Sequence, residues 1–370
     1  MESQYNKEDV EGILSHFFIR GKVASITPFG SGHINSTFYV KNTDSNEPDY
    51  LLQKINHSVF KDVPGLIGNI LLVTSHLKEK LKDVPGADPD KEVLTLVETK
   101  SAGFFTKDAN GNYWRAYYFI KDTKSYDQVE TPKQAFETGK AFGRFQKLLS
   151  DLDAAQLCHT IPNFHNIEMR LQQLHEAIDA DPKGRVKEVK FIIDFINERA
   201  WQMGAVLRAG REGKLPLRII HYDTKLNNVL LNKNDEVQCV IDLDTVMPGY
   251  VAYDFGDAIR TIINTSAEDE KQLDKINLNI PLFKAYTEGY FAEASGFLTE
   301  NEIESLSHGM VLLPYMQTVR FLTDYIQGDT YYKIHFPGHN LQRSVAQMQL
   351  LNRIENEYDV LKGIIKDVAY

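Results

Sequence analysis

Cysteine is nearly missing from this 370-residue chain: Cys158 and Cys239 are the only two, far apart and in no metal-ligand spacing. That argues against a disulfide framework and a zinc site, and Cys239 reads most simply as a buried strand residue. Long apolar runs are missing too, since no stretch approaches the ~20 residues a membrane-spanning helix needs. Met1-Glu2-Ser3-Gln4-Tyr5 has neither the basic start nor the apolar core of a signal peptide, so the expected location is the cytoplasm. Positive charge is in deficit, with 41 Lys and Arg against 51 Asp and Glu and a formal net charge of −10. Nucleic acid and anionic membrane are therefore not expected as partners, and any phosphate ligand needs a local positive site. Nothing in the chain speaks to its oligomeric state.

What remains is an ordinary globular composition, 42% hydrophobic and 25% charged, long enough for two lobes. Single cores stop growing at roughly 250–300 residues. Residues 22–26, 36–40, 50–55, 93–97 and 113–120 are rich in β-branched and aromatic residues and predict five antiparallel strands. Leu66, Ile70, Val73, Leu77 and Leu81 recur at helical spacing and predict a helix over 66–82, bracketed by two copies of Lys-Asp-Val-Pro-Gly that read as turns. Past the polar segment 122–131 the pattern becomes helical, at 132–150, 165–180, 185–208 and most of 254 to the end. The expectation is an α+β, two-lobed chain. Residues 1–121 form a nucleotide-binding lobe, 122–131 a connector and 132–370 a helical lobe, with a cleft between the lobes for a nucleotide.

Two carboxylate motifs interrupt the helical part. His221-Tyr222-Asp223-Thr224-Lys225-Leu226-Asn227-Asn228 reads H-x-D-x-x-x-x-N, and Ile241-Asp242-Leu243-Asp244 places an Asp at the end of an apolar run. A phosphoryl-transfer site of the kinase type needs its parts in this order. Asp223 is suited to take the proton of an attacking hydroxyl. Asn228 offers a neutral oxygen to Mg²⁺, and Asp242 a carboxylate, because Mg²⁺ typically takes one or two carboxylates with phosphate oxygens and water. Any one of the three alone reads equally well as a turn or strand-end residue. The order of all three favours chemistry, while His221 is expected to hold the loop by hydrogen bonds. Residues 229–231 and 237–241 read as strands joined by the turn Asn232-Lys233-Asn234-Asp235.

The segment Phe29-Gly30-Ser31-Gly32-His33-Ile34-Asn35 lies between the first two strands and is neither a Walker loop nor a Rossmann fingerprint. A lone G-x-G there is most often a turn. With strand-borne Lys54 downstream, it also reads as a cover for nucleotide phosphates, Gly30 and Gly32 giving close approach and Lys54 the charge.

These motifs, with Gln53-Lys54-Ile55-Asn56, resemble those of the aminoglycoside phosphotransferase and choline kinase superfamily over nearly the whole chain. The resemblance implies a protein-kinase-like fold, ATP and Mg²⁺ as cofactors and a small-molecule acceptor. Asp242-Leu243-Asp244-Thr245-Val246-Met247-Pro248-Gly249, Tyr253-Asp254-Phe255-Gly256-Asp257, Arg320-Phe321-Leu322-Thr323-Asp324-Tyr325 and Gly328-Asp329-Thr330-Tyr331 look most like the N-acetylhexosamine 1-kinases. That narrower likeness implies a sugar held by Asp223, Asp242, Thr245, Arg320 and Tyr331. Asp244 and Asp254 read as structural, capping backbone turns. One departure stands: kinases commonly pair the strand Lys with a helix Glu, and the helix over 66–82 offers only Glu79, near its end. The alternatives are a kinase for an amino alcohol, which would call for an aromatic cage, and a non-catalytic nucleotide-binding scaffold, which would lack the base or a metal ligand. A protein kinase is disfavoured because no Ala-Pro-Glu follows Asp242.

Overall fold

The computed structural model describes residues 7–30 and 34–370. Contacts divide the chain into two units, the first being Met1–Lys124, Ala155–Pro162 and Gln238–Met247, the second Ser125–Ala154, Asn163–Val237 and Pro248–Tyr370.

The first unit runs α1 (Lys7–Leu14), β1 (Val23–Pro28), β2 (Ser36–Asn42), β3 (Tyr50–Ile55), α2 (Val63–Lys82), α3 (Pro89–Glu92), β4 (Thr106–Lys107) and β5 (Tyr113–Tyr118). The strands form one antiparallel sheet in the order β1-β2-β3-β5-β4. Alternation does the sorting: Phe38 and Val40 on β2, Tyr50 and Leu52 on β3, and Trp114 and Ala116 on β5 point to one face. There Val10, Ile13, Leu14 and Phe17 from α1 and its end pack against them. That helix was not anticipated from sequence. α2 starts where Asp62 accepts a hydrogen bond from the Gly65 amide and Pro64 sits in its first turn.

The expected strand 93–97 is a single bridge, Leu96 to Tyr117, flanked by hydrogen bonds from the Val97 amide to Ala116 and from the Tyr118 amide to Thr95. Its residues have strand propensity, but α3 ends just before them and the chain turns back at Thr99–Gly103, so contact with β5 lasts three residues. The fifth strand is instead β4.

The second unit is mainly helical: α4 (Pro132–Leu148), α5 (Ile167–Ala180), α6 (Lys190–Met203), α7 (Ala205–Arg211), α8 (Val251–Ile262), α9 (Ile280–Ala294), α10 (Glu300–Gln327), α11 (His339–Asn356) and α12 (Tyr358–Ala369). α4 and α10 both open with reciprocal caps, Thr131 with Gln134 and Thr299 with Glu302. The single helix expected over 185–208 is a 3₁₀ turn, Val186–Val189, followed by α6 and α7 with a break at Gly204. Between the helices in sequence lie the short strands β6 (Arg218–Ile220), β7 (Val229–Leu231), β8 (Val237–Val240) and β9 (Met247–Gly249), of which residues 238–240 and 247 belong to the first unit. The turn at 232–235 is closed by the Asn232 amide donating to Glu236 and the Asp235 amide to Asn232.

Among the described residues no helix is long and apolar enough to cross a membrane. Cys158 and Cys239 are both free thiols.

Candidate active site

In the second unit, β6 delivers the chain into His221 and the loop turns through Tyr222, held at a left-handed φ of 65°. Such a conformation is uncommon outside glycine and needs support from its surroundings. Asp254 on α8 supplies it, accepting the amides of His221 and Tyr222 at 2.8 and 2.7 Å and the Gln146 side chain at 2.8 Å. One turn on, Asp257 accepts the Thr224 amide at 3.1 Å and pairs with Arg260 at 3.0 Å. The Thr224 hydroxyl donates to the Asp254 carbonyl at 2.6 Å. His221 is fully buried, packs edge-on against Phe142 and Phe145, and accepts the Asp223 amide on Nδ1 at 3.3 Å.

This scaffold leaves Asp223 half-buried with both oxygens engaged. Oδ1 pairs with Lys225 Nζ at 2.9 Å and Oδ2 accepts Asn228 Nδ2 at 3.0 Å, the same nitrogen also bonding the Asp223 carbonyl at 2.8 Å. Burial pushes the Asp223 carboxyl up, but Lys225, His221 and Asn228 outweigh it and hold it below its ordinary value. Asp254 moves the other way: burial raises it, and His221 with the amide donors only partly compensates. With its nitrogen spent on Asp223, Asn228 is left presenting its amide oxygen as an acceptor.

Beside this loop the second unit gathers, around Arg320, side chains that the sequence reading did not single out. Phe164 stacks on His165 at 4.7 Å, and His165 lies 5.0 Å from the Tyr222 ring. Arg320 sits over Phe164 at 5.2 Å and over Tyr332 at 5.5 Å, while Arg170 donates to the Phe164 carbonyl at 3.1 and 3.3 Å. Arg185, Arg199, Arg218 and Arg260 each meet a carboxylate. Among the described residues Arg170 and Arg320 make no ion pair; Arg320 bonds Gln317 at 3.4 Å and Arg170 bonds Gln173 at 3.0 Å. His165 Nδ1, Tyr253 Oη and Tyr332 Oη are buried there without hydrogen-bond partners. Tyr332, not Tyr331, lies under the Arg320 guanidinium; Tyr331 is exposed and meets Tyr332 edge-on at 4.8 Å. The loop carrying both is pinned by Asp324, which accepts the amides of Thr330, Tyr331 and Tyr332 at 2.8, 2.8 and 2.9 Å.

The first unit holds the other candidates. Gly30 has a φ of 81°, which suits glycine, and Gly32 lies outside the described residues. Lys54 is half-buried on β3, opposite Ser36 and Trp114, and Glu79 on α2 pairs with Lys82 one turn on. Asp242 is exposed, with φ and ψ both 60°, and leads into the 3₁₀ turn Leu243–Thr245, where Thr245 is buried. A non-glycine residue held this way costs of order 1–3 kcal/mol, which the surroundings must offset. Asp244, read from sequence as a turn cap, is a buried ion-pair partner of Arg115 on β5 at 2.5 Å. Burial alone would disfavour the Arg115 charge, but Asp244 overrides it and keeps the guanidinium protonated.

Asp242 in the first unit presents an exposed carboxylate and Asn228 in the second carries a side-chain amide oxygen, and each is a hard donor of the kind that Mg²⁺ takes. No group of three or more His, Cys, Asp or Glu side chains that could hold a metal ion is gathered among the described residues.

The phosphotransferase enzyme family matches residues 25–278, more than two thirds of the chain, and the chain belongs to that family. Its fold is that of an aminoglycoside phosphotransferase from Alicyclobacillus acidocaldarius (11% identity, 99% and 98% of the two chains covered, TM-score 0.60). The same holds for an amicoumacin kinase in complex with AMP-PNP, Ca²⁺ and Ami (12%, 94% and 94%, TM-score 0.61) and choline kinase from Cryptosporidium parvum (14%, 97% and 98%, TM-score 0.56). The chain is thus a phosphotransferase with the kinase-like fold expected from its sequence, an antiparallel sheet in one unit and helices in the other.

Proposed function

We propose that this phosphotransferase is an ATP- and Mg²⁺-dependent kinase that phosphorylates the anomeric hydroxyl of an N-acetylhexosamine. The observation that carries the reading is Asp223, a carboxylate held ionised on the loop that also carries Asn228, whose side-chain nitrogen donates to it. Asp223 takes the acceptor's hydroxyl proton as the sugar oxygen bonds to the γ-phosphorus and the bond to the β-phosphate oxygen breaks, giving sugar 1-phosphate and ADP. Bound Mg²⁺ supplies charge neutralisation on the phosphates. Asn228 and Asp242 hold it, and Gly30, Gly32 and Lys54 hold the phosphates. The anomeric hydroxyl is the most acidic on the sugar, so a carboxylate base faces its smallest proton-transfer deficit there.

Asp223, Asp242, Thr245, Arg320 and Tyr331 are the sugar contacts. Supporting an uncharged acceptor over a choline-like cation are the guanidiniums of Arg170 and Arg320, which have no carboxylate to balance them. A quaternary ammonium beside that pair would be repelled. Tyr332 and His165 join this set as polar groups awaiting a partner.

Purified protein with ATP and Mg²⁺, screened against free sugars, N-acetylated sugars and amino alcohols, is the test. The expected product shows a phosphorus resonance coupled to the anomeric proton, and Asp223→Asn lowers turnover by ~10²–10⁴-fold while nucleotide still binds. Coupling to a methylene pair, or turnover by amino alcohols alone, sinks the acceptor assignment.

A further inference from the structure

The left-handed turn at Asp242 is anchored by its neighbours along the chain. Val246, at the end of that turn, accepts Asn69 Nδ2 from α2 at 3.0 Å. Asp244, in its middle, is gripped on both oxygens: Arg115 meets Oδ1 at 2.5 Å and Asn35 Nδ2 donates to Oδ2 at 2.7 Å. Arg115 is itself fixed by donating Nε to Gln53 at 3.1 Å, and Gln53 donates in turn to the Thr37 hydroxyl at 3.0 Å. Asn35 uses its other atom as well, its Oδ1 accepting the Asn56 amide at 2.9 Å. The network thus spans the start of β2, the neighbouring strands β3 and β5, and the turn.

Two features set it apart from plain packing. A buried ion pair is often no more stabilising than an apolar pair of the same volume, so its presence calls for another role. Asn35 is also the last residue of the glycine-rich segment, so a single amide ties that segment, the residue following β3 and the carboxylate two positions after Asp242 into one unit of hydrogen bonds.

We propose that Asn35 is a positioning residue for Asp242, acting through Asp244 and Arg115 to hold the turn that presents the Asp242 carboxylate to the metal. This rests on the assignment of Asp242 to the metal made above. With the Asn35 amide removed, Asp244 Oδ2 loses its donor, and the turn is free to relax toward the extended backbone that an aspartate prefers. The Asp242 carboxylate then no longer meets the cation in a fixed orientation. Outer partners of metal ligands typically affect metal affinity by ~10–100-fold.

The probe is Mn²⁺, read by electron paramagnetic resonance in the presence of saturating AMP-PNP, with thermal unfolding measured alongside. Asn35→Asp keeps the acceptor for the Asn56 amide and sets a second carboxylate against Asp244. It is expected to weaken Mn²⁺ binding by ~10-fold or more, with a lowered melting temperature that still leaves the protein folded at the temperature of the measurement. Asp244→Asn is expected to weaken it too. The double variant Asn35→Asp with Asp244→Asn restores a donor–acceptor pair and the original charge, and is expected to recover most of the affinity. Unchanged Mn²⁺ affinity in Asn35→Asp, or a double variant no better than the singles, overturns the proposal. Because no acceptor is present, failure of the sugar assignment leaves this measurement intact. A wild-type protein that adds nothing to the Mn²⁺ affinity of AMP-PNP alone overturns this proposal and the metal assignment together.

Discussion

Buried beside Arg320 and Arg170, the His165 imidazole is a neutral group in the folded protein. Burial first, and then those two guanidiniums with Arg260, push its pKa well below the ordinary 6.5. The unfolded chain therefore takes up a proton near pH 6.5 that the folded chain refuses. Stability from this site is intact above that value and is lost as pH falls below it toward the folded pKa, with a slope approaching ~1.4 kcal/mol per pH unit. Urea unfolding at a series of pH values should show that loss in the wild type and a flatter profile in His165→Gln; parallel profiles would mean the imidazole is protonated when folded. Asp223 and Asp254 make the complementary contrast, since two carboxylates on adjoining elements are driven apart, one down by Lys225 and one up by burial. Sequence order alone singled out Asp223 as a candidate base, because the H-x-D-x-x-x-x-N spacing is local. It could not identify Lys225, Arg170 or Tyr332, whose significance lies in which side chains they lack or meet in space. Asp257 was within reach: three residues after Asp254, it shares a face of any helix drawn there.

At the level of elements, α4 and α9 touch backbone to backbone. A methyl added at Gly289 would run into the Phe136 carbonyl, one at Gly139 into the Tyr286 carbonyl, and one at Gly143 would lie 2.5 Å from the Tyr290 carbonyl. That closeness matters for the loop carrying Asp223, because Tyr290 donates to Gln146 at 2.6 Å and Gln146 donates to Asp254, which holds the loop. Helix propensity predicts that Gly289→Ala would stabilise by ~1 kcal/mol. Overpacking against a carbonyl that cannot rotate away costs about 1–3 kcal/mol. The expected outcome is a net loss of stability in denaturant titration, and a gain would show that the helices part easily. β3 was legible to the residue from strand propensity, and α2 within a few residues from helical spacing. The segment 93–97 was misread because its Val and Leu residues report strand propensity, while the length of a pairing is set by turns that propensity does not see.

On the scale of the whole chain, composition marks the change from strands to helices near residue 121, and the contact units change at 124. It carries no trace of the return of 155–162 and 238–247 to the first unit. Asn69 receives both segments, bonding the Cys158 backbone through both atoms of its amide and the Val246 carbonyl through Nδ2. A fragment of residues 1–124 would keep every strand of the sheet and lose Asp244, leaving the Arg115 guanidinium buried without its partner. Removing one member of a buried pair typically costs ~3–5 kcal/mol, a large share of a small domain's stability. The fragment is therefore expected to show no cooperative melting transition by circular dichroism, and a sharp transition like that of the full chain would contradict this.

The same pairing sets a timetable for synthesis. Arg115 leaves the ribosome about 130 residues ahead of Asp244, and at ~5–20 residues per second the wait is on the order of ten seconds. Through that interval the sheet is complete in sequence but still short of the carboxylate that neutralises its interior. The strands made first are thus among the last to settle, and the nascent chain stays open to chaperones until residue 247 has emerged.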